Sequence, residues 1–261
     1  MHSKDYPSLG TSQKLKLMLK VKNLSRKVSD NWIWENINFE LYAGQKLALS
    51  GNSGSGKSML LRTLAGLDVL EKGPSGKEGS ISFSGKSISE WEMPEYRIRI
   101  GYVPQNPIFS DLTVEECFKS VFSFKINQKK FYNKEKILSW LEQLSIPNIG
   151  NNNSDKVDFT EFLQRPAREL SGGEAQVVAV LRVLQLEPKI LLLDEPTSSM
   201  DKELTKQMED LLEKWHKCSS DIFPVPNGLK DQRAWIWVAH NPDQLTRICG
   251  QTYSLGSLDG K

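Results

Sequence analysis

The sequence has little of what builds a covalent or metal-held scaffold. Its 261 residues include three cysteines, Cys117, Cys218 and Cys249, far apart and without a C-x-x-C pair. That excludes a disulfide framework and a zinc-ribbon site, and makes a reducing compartment the default. The three histidines, His2, His216 and His240, are equally scattered. Long apolar runs are missing too. The longest purely aliphatic run, Ile190 to Leu193, falls far short of the roughly 20 apolar residues of a membrane span. The opening residues MHSKDYPSLGTSQ carry no apolar core of a secretory signal. Neither sign of charge is in excess, since 34 lysines and arginines face 32 acids. Binding to a phosphate backbone leaves a strongly basic footprint, so nucleic acid is not expected as a partner.

What the sequence does have is an α/β pattern. Residues 1–13 read as a loose polar tail, and residues 14–261 as one domain. Leu15, Leu17, Leu19 and Val21 alternate with polar residues, as a half-buried strand does. NINFEL continues that pattern. QKLALSG, GSISFSG (Gly79 to Gly85) and RIRIGYVPQ (Arg97 to Gln105) read as further strands, and Lys57 to Gly66 as a helix. TVEECFKSVFSF and KEKILSWLEQL show helical spacing, with Thr113 as N-cap of the first and Pro147 ending the second. Gly150 to Lys156 is a loop. A helix after Gly173, the strand KILLLD, a helix through Lys214 and the strand AWIWVAH complete the pattern. Cys218 to Gln232, with two prolines and an Asn-Gly pair, reads as a surface insertion. The expected organisation is an α/β core with a β subdomain over about 14–104 and 174–261, and an inserted helical subdomain over about 105–173.

Chemistry enters with GNSGSGKS, which fits G-x-x-x-x-G-K-[ST] between a predicted strand and a predicted helix. Gly51, Asn52, Ser53, Gly54, Ser55 and Gly56 would close their backbone N–H groups on phosphate oxygens at a helix N-terminus. Lys57 would reach the β- and γ-phosphates and Ser58 would bind Mg²⁺. KILLLDEP ends a buried strand in Asp194, at the strand edge where α/β folds bind ligands. Asp194 would hold the Mg²⁺ shell, and Glu195 would polarise an attacking water. A simple P-loop kinase or GTPase would account for these two motifs. It leaves ELSGGEAQ, SSMD and His240 without a role.

Those remaining motifs resemble the ATP-binding subunits of ABC transporters. LSGGE (Leu170 to Glu174) is similar to the family signature L-S-G-G-Q. The resemblance implies that two copies pack head to tail. The signature residues Ser171, Gly172, Gly173 and Glu174 of one copy would then meet ATP held by the other. It further implies roles for Gln105, as a hinge and Mg²⁺ sensor, for Asp201 in the D-loop SSMD, and for His240 as a γ-phosphate contact. Glu195, His240, Gln105 and Lys57 are the expected catalytic set; Ser58, Gln105 and Asp194 are the expected Mg²⁺ set. The similarity runs from about Leu15 to Leu255. The expected fold is therefore a P-loop NTPase cassette core with an antiparallel β subdomain and an inserted helical subdomain. Family members often stack an aromatic on adenine at a slot that falls near Val28; Trp32 and Trp34 are close, and each also suits the core of the following strand. The arginine that often follows the signature is Val177 here.

Without a span of its own, such a chain would power a separate integral membrane permease from the cytoplasmic face of the inner membrane. Ile108, Phe109 and Leu112, after Gln105, fall where the family receives a coupling helix, or pack inside the helical lobe. The signature and the AWIWVAHNPDQL run resemble a branch that includes bacterial iron exporters and plant UDP-glucose transport proteins. A soluble ABC-type ATPase driving a cytoplasmic machine is the alternative. Paired cassettes or long coiled-coil insertions, its usual marks, are absent.

Overall fold

A computed structural model of the protein describes residues 16–127, 129–144, 146, 159–218, 223 and 233–256. The expected tail, Leu15, Pro147, the loop at 150–156 and most of the 218–232 insertion lie outside the described residues.

Two sheets organise the chain. The first is antiparallel and contains β1 (Leu17–Val28), β2 (Asn31–Tyr42), β4 (Ser80–Phe83) and β5 (Lys86–Ser87), in the order β2-β1-β4-β5. The second contains β3 (Lys46–Ser50), β6 (Ile100–Val103), β7 (Ile190–Asp194), β8 (Ala234–Val238) and β9 (Gln251–Ser254), in the order β6-β7-β8-β3-β9. Every pairing in the second sheet is parallel. Parallel strands are covered on both faces, and the side chains show it. Leu191, Leu193, Trp235 and Trp237 point into one core. Ile190, Leu192, Ile236 and Val238 point into the other, which the antiparallel sheet shares. The strand period of two assigns neighbours to opposite cores.

The helices are α1 (Lys57–Leu64), α2 (Met93–Arg99), α3 (Val114–Ser120), α4 (Lys134–Leu141), α5 (Thr160–Gln164), α6 (Gly172–Leu184), α7 (Lys202–His216) and α8 (Pro242–Ile248). Between Val103 and α6 the described residues form no strand, and α3, α4 and α5 occupy the stretch read as the helical insert. Thr113 caps α3 through a capping box with Glu116, as its sequence position predicts.

Three expectations change. Arg97 to Arg99 belong to α2 rather than to a strand. Pro94 sits in its first turn, and Tyr96 is fully buried with its hydroxyl donating to Leu64 O at 2.7 Å. The strand begins only at Ile100. On β1, Met18 is buried along with Leu19 and Val21, so burial is not confined to one face. In the insertion read as surface, Cys218 and Phe223 are buried, and the Phe223 ring stacks on Trp140 at 5.0 Å.

Gly101 sets how closely α6 lies on the sheet. A Cβ there would collide with Val183 Cγ1 and meet Leu191 Cδ2 and Pro188 Cβ at 3.3 Å. Gly101→Ala is therefore expected to lower the unfolding free energy by about 1–3 kcal/mol. The check is a lower urea midpoint at unchanged m-value. An unchanged midpoint would show that Val183 yields without strain.

Candidate functional site

The C-terminal ends of β3, β7, β8 and β6 lie along one edge of the parallel sheet, and the expected site residues follow them. After β3 the chain turns through Gly51–Gly56 into α1. Gly51 to Gly54 are exposed. Gly56 precedes α1 in the left-handed region at φ 82°. A Cβ there would lie 2.5 Å from Ile33 Cγ2 and 2.7 Å from Trp34 Nε1. Only glycine meets both demands. The Trp34 ring is 1 % exposed, and its indole N–H points at Gly56 O at 3.4 Å. Trp34 is thus a core brace under the loop and is not free to stack on a base. Trp32 is half-buried, with Lys27 Nζ 6.0 Å from its ring, and Val28 is exposed.

The N–H groups of Gly54, Gly56, Lys57 and Ser58 find no acceptor among the described residues. Unsatisfied donors at a helix N-terminus form an anion cradle. Lys57 is buried, and its ammonium donates to the loop's own carbonyls, Gly51 O at 2.8 Å and Asn52 O at 2.9 Å. It thus lies on the loop that would hold phosphate.

Asp194 closes the other side. Ser58 Oγ donates to its Oδ1 at 3.1 Å and the Tyr102 hydroxyl to its Oδ2 at 3.2 Å. Burial pushes the Asp194 carboxyl above its ordinary range; the hydrogen bonds from Ser58 and Tyr102 offset only part of that. Burial and the neighbouring Asp194 charge in turn raise the Tyr102 phenol, which stays a proton donor. Among the described residues no group of three or more His, Cys, Asp or Glu side chains could hold a metal alone. The site instead offers two hard oxygens, from Ser58 and Asp194, beside the free N–H donors at the start of α1. That donor set fits Mg²⁺, which takes one or two carboxylates and completes its shell with water and phosphate oxygen.

Glu195 follows at φ 50°, a region that costs a non-glycine residue about 1–3 kcal/mol. Its N–H donates to Val238 O at 3.0 Å, and its side chain is 8 % exposed. Gln105 Nε2 donates to Glu195 Oε2 at 2.9 Å, and His240 Nε2 sits 2.8 Å from Oε1. The structure thus brings Gln105, Glu195 and His240 together as one cluster. Gln105 meets Glu195 and not the Ser58–Asp194 pair. A groove of about 940 Å³ flanks Glu195 and His240, but its other wall is built by α7 and α8, and none of Gly51–Ser58 lines it.

Ser171 and Gly172 are exposed at the start of α6. Among the described residues no hydrogen bond joins Ser171–Glu174 to Gly51–Ser58. The signature packs instead on its own chain's SSMD segment: a Cβ on Gly172 would lie 3.1 Å from Ser199 Cβ, and one on Gly173 3.0 Å from Ser199 O. Asp201 caps α7, accepting from Leu204 N at 2.8 Å. Val177 is fully buried. Sequence reading missed the roles of Tyr102, Ser199 and Arg165. The last forms a two-pronged ion pair with Glu174. No motif marks Tyr102 or Arg165, and Ser199 lies in SSMD without the motif showing that it packs on the signature.

Known proteins share this chain's sequence pattern and fold. The family model described as ABC transporter matches residues 34–198. The sulfate/thiosulfate import ATP-binding protein CysA of Mesostigma viride is 34 % identical over 198 residues, 75 % of this chain and 50 % of that protein. The probable iron export ATP-binding protein FetA of Escherichia coli K12 is 29 % identical over 230 residues, 87 % of each. The chain thus spans about half of the first relative's length. A solved structure described as an ATP-binding subunit of an ABC transporter superposes with TM-score 0.68 at 19 % identity, covering 93 % of this chain and 90 % of that one, which supports the fold.

Asp194→Asn separates stability from function. The native carboxyl holds its proton more tightly than the unfolded one, whose ordinary value is 3.8. Native stability therefore falls as pH rises from below that value through the raised native one. Without nucleotide and with EDTA, Asp194→Asn is expected to be more stable than wild type at neutral pH by about 1 kcal/mol. The gap should close in acid. Urea midpoints at the two pH values test this, and a constant gap would refute it.

Proposed function

The chain belongs to the ABC transporter family, and on that premise we propose that it is an ATP-hydrolysing nucleotide-binding subunit that drives a separate integral membrane subunit. One observation carries the reading: a cradle with free donors, a Ser58 bonded to the buried Asp194 and a doubly held Glu195 converge on one edge of one sheet.

ATP would lie with its triphosphate over Gly51–Ser58. Lys57 would exchange its loop carbonyls for β- and γ-phosphate oxygens. Ser58 and Asp194, with Gln105, would hold Mg²⁺, which when bound offsets the charge of the phosphates. Glu195 is the general base or water-positioner. Both its oxygens are engaged here, so releasing Gln105 or His240 frees one to orient a water. His240, with 64 % of its side chain exposed, can turn from Glu195 toward the γ-phosphate. Positioning and fixed electrostatics would supply most of the rate gain.

The signature would serve a second copy. Ser171 and Gly172 are exposed, and among the described residues the signature makes no hydrogen bond to the chain's own loop, which supports two copies packed head to tail around two ATP molecules. Asp201 and Ser199 would then sit at that interface. Ile108, 91 % exposed just after Gln105, offers an apolar contact for the membrane subunit, whereas Phe109 and Leu112 are partly buried against one of the two apolar cores. No helix among the described residues is long and apolar enough to cross a membrane, in keeping with peripheral attachment at the cytoplasmic face of the inner membrane. For cargo we propose a metal ion such as iron, to be exported. The support is the match to a relative named for iron export over 87 % of both chains.

Glu195→Gln is the direct test. Hydrolysis is expected to fall about 10²–10⁴-fold, while ATP with Mg²⁺ converts monomer to dimer in light scattering. Hydrolysis at the wild-type rate would remove Glu195 from the mechanism.

A further inference from the structure

The signature loop carries a charge that an ATP-contacting loop would be expected to avoid. Glu174 is the third residue of α6, and its carboxylate folds back over the helix start. Its Oε2 accepts the Ser171 N–H at 2.7 Å, and Ser171 Oγ accepts the Glu174 N–H at 3.3 Å. This reciprocal cap leaves the N–H groups of Gly172 and Gly173 free, while the Ser171 hydroxyl is turned to the Glu174 carboxylate. An arriving phosphate would meet these donors with a like charge within one helical turn.

Arg165 cancels that charge. Its guanidinium grips Glu174 with both prongs, Nη1 to Oε1 at 2.8 Å and Nη2 to Oε2 at 3.1 Å. Nη2 also reaches Glu169 O at 3.4 Å. The Glu174 side chain is 7 % exposed and Arg165 about a third exposed. Burial by itself would raise the Glu174 carboxyl; the Arg165 fork and the Ser171 bonds outweigh it and leave it below its ordinary range. The contact is a bidentate ion pair, and an unpartnered Glu174 would leave a buried negative charge beside the cradle. Arg165 sits at a junction: it follows α5, its carbonyl accepts Val114 N at 3.0 Å, and its side chain holds the start of α6.

We propose that Arg165 is the positioning residue that makes a glutamate workable in this signature, neutralising Glu174 so that Ser171, Gly172 and Gly173 can donate to the γ-phosphate of ATP bound to a second copy. The inference rests on the head-to-tail reading above. It predicts that the need for Arg165 depends on the charge at position 174.

The experiment is a double-mutant cycle in the full-length Glu195→Gln protein. The readout is the ATP concentration at half-maximal dimer, by light scattering with Mg²⁺. Arg165→Ala is expected to raise that midpoint roughly tenfold when residue 174 is Glu, and less than about twofold in the presence of Glu174→Gln. A fluorescent ATP analogue titrated into each monomer reports the chain's own loop and is expected to bind equally in all. Should Arg165→Ala not fold, Arg165→Gln, which keeps much of the side-chain volume, carries the same comparison. An equal loss in both backgrounds overturns the inference, since Arg165 would then hold the loop regardless of charge. No loss in either also overturns it. A Glu195→Gln parent that stays monomeric at saturating ATP overturns the head-to-tail reading, and the inference with it.

Discussion

The central strands of the five-stranded parallel sheet, β7 and β8, are buried on both faces, and the placement of the site's polar groups depends on that. Along β7, Ile190 and Leu192 serve one core while Leu191 and Leu193 serve the other, so no side chain before Asp194 can be charged without a large desolvation cost. The same holds for β8, where Trp235 and Trp237 alternate with Ile236 and Val238. Chemistry is thereby pushed to the strand ends. Because the strands are parallel, those ends share one edge. The loop after β3, the acids after β7, the histidine after β8 and the glutamine after β6 are neighbours for this reason.

At that edge the acids are satisfied and the donors are not. Asp194 has Ser58 and Tyr102; Glu195 has Gln105 and His240. The N–H groups of Gly54, Gly56, Lys57 and Ser58 around the start of α1 and those of Gly172 and Gly173 at the start of α6 have no acceptor among the described residues. Each place therefore suits an anion supplied from outside. The two cradles differ in their support. The first rests on Trp34, reaching over from the antiparallel sheet. The second rests on Arg165 and Ser199, so its charge and shape are set by the helical lobe and by the segment ahead of α7.

Much of this was legible locally. The N-cap at Thr113 and the strand after Lys189 depend on neighbours within a few residues and appear where their patterns place them; α6 begins at Gly172, slightly earlier than the pattern after Gly173 suggests. The start of β6 was misplaced. Arg97 to Arg99 alternate like a strand, yet Pro94 and the buried Tyr96 commit them to a helix packed on α1's carbonyl end. Trp34 could be read as a platform or as core, and only its place under Gly56 decides.

The sequence by itself determined the family, the phosphate-binding loop and the two acids after β7, because those are runs of adjacent residues whose spacing is their chemistry. The tertiary structure decided which residues hold them in place. Tyr102 on Asp194, Gln105 and His240 on Glu195, Trp34 under Gly56 and Arg165 on Glu174 are contacts of side chains. Most of them join strands that become neighbours only when the parallel sheet closes. Sequence distance carries no trace of such pairs, since a hydrogen bond is set by position in space and not by order along the chain.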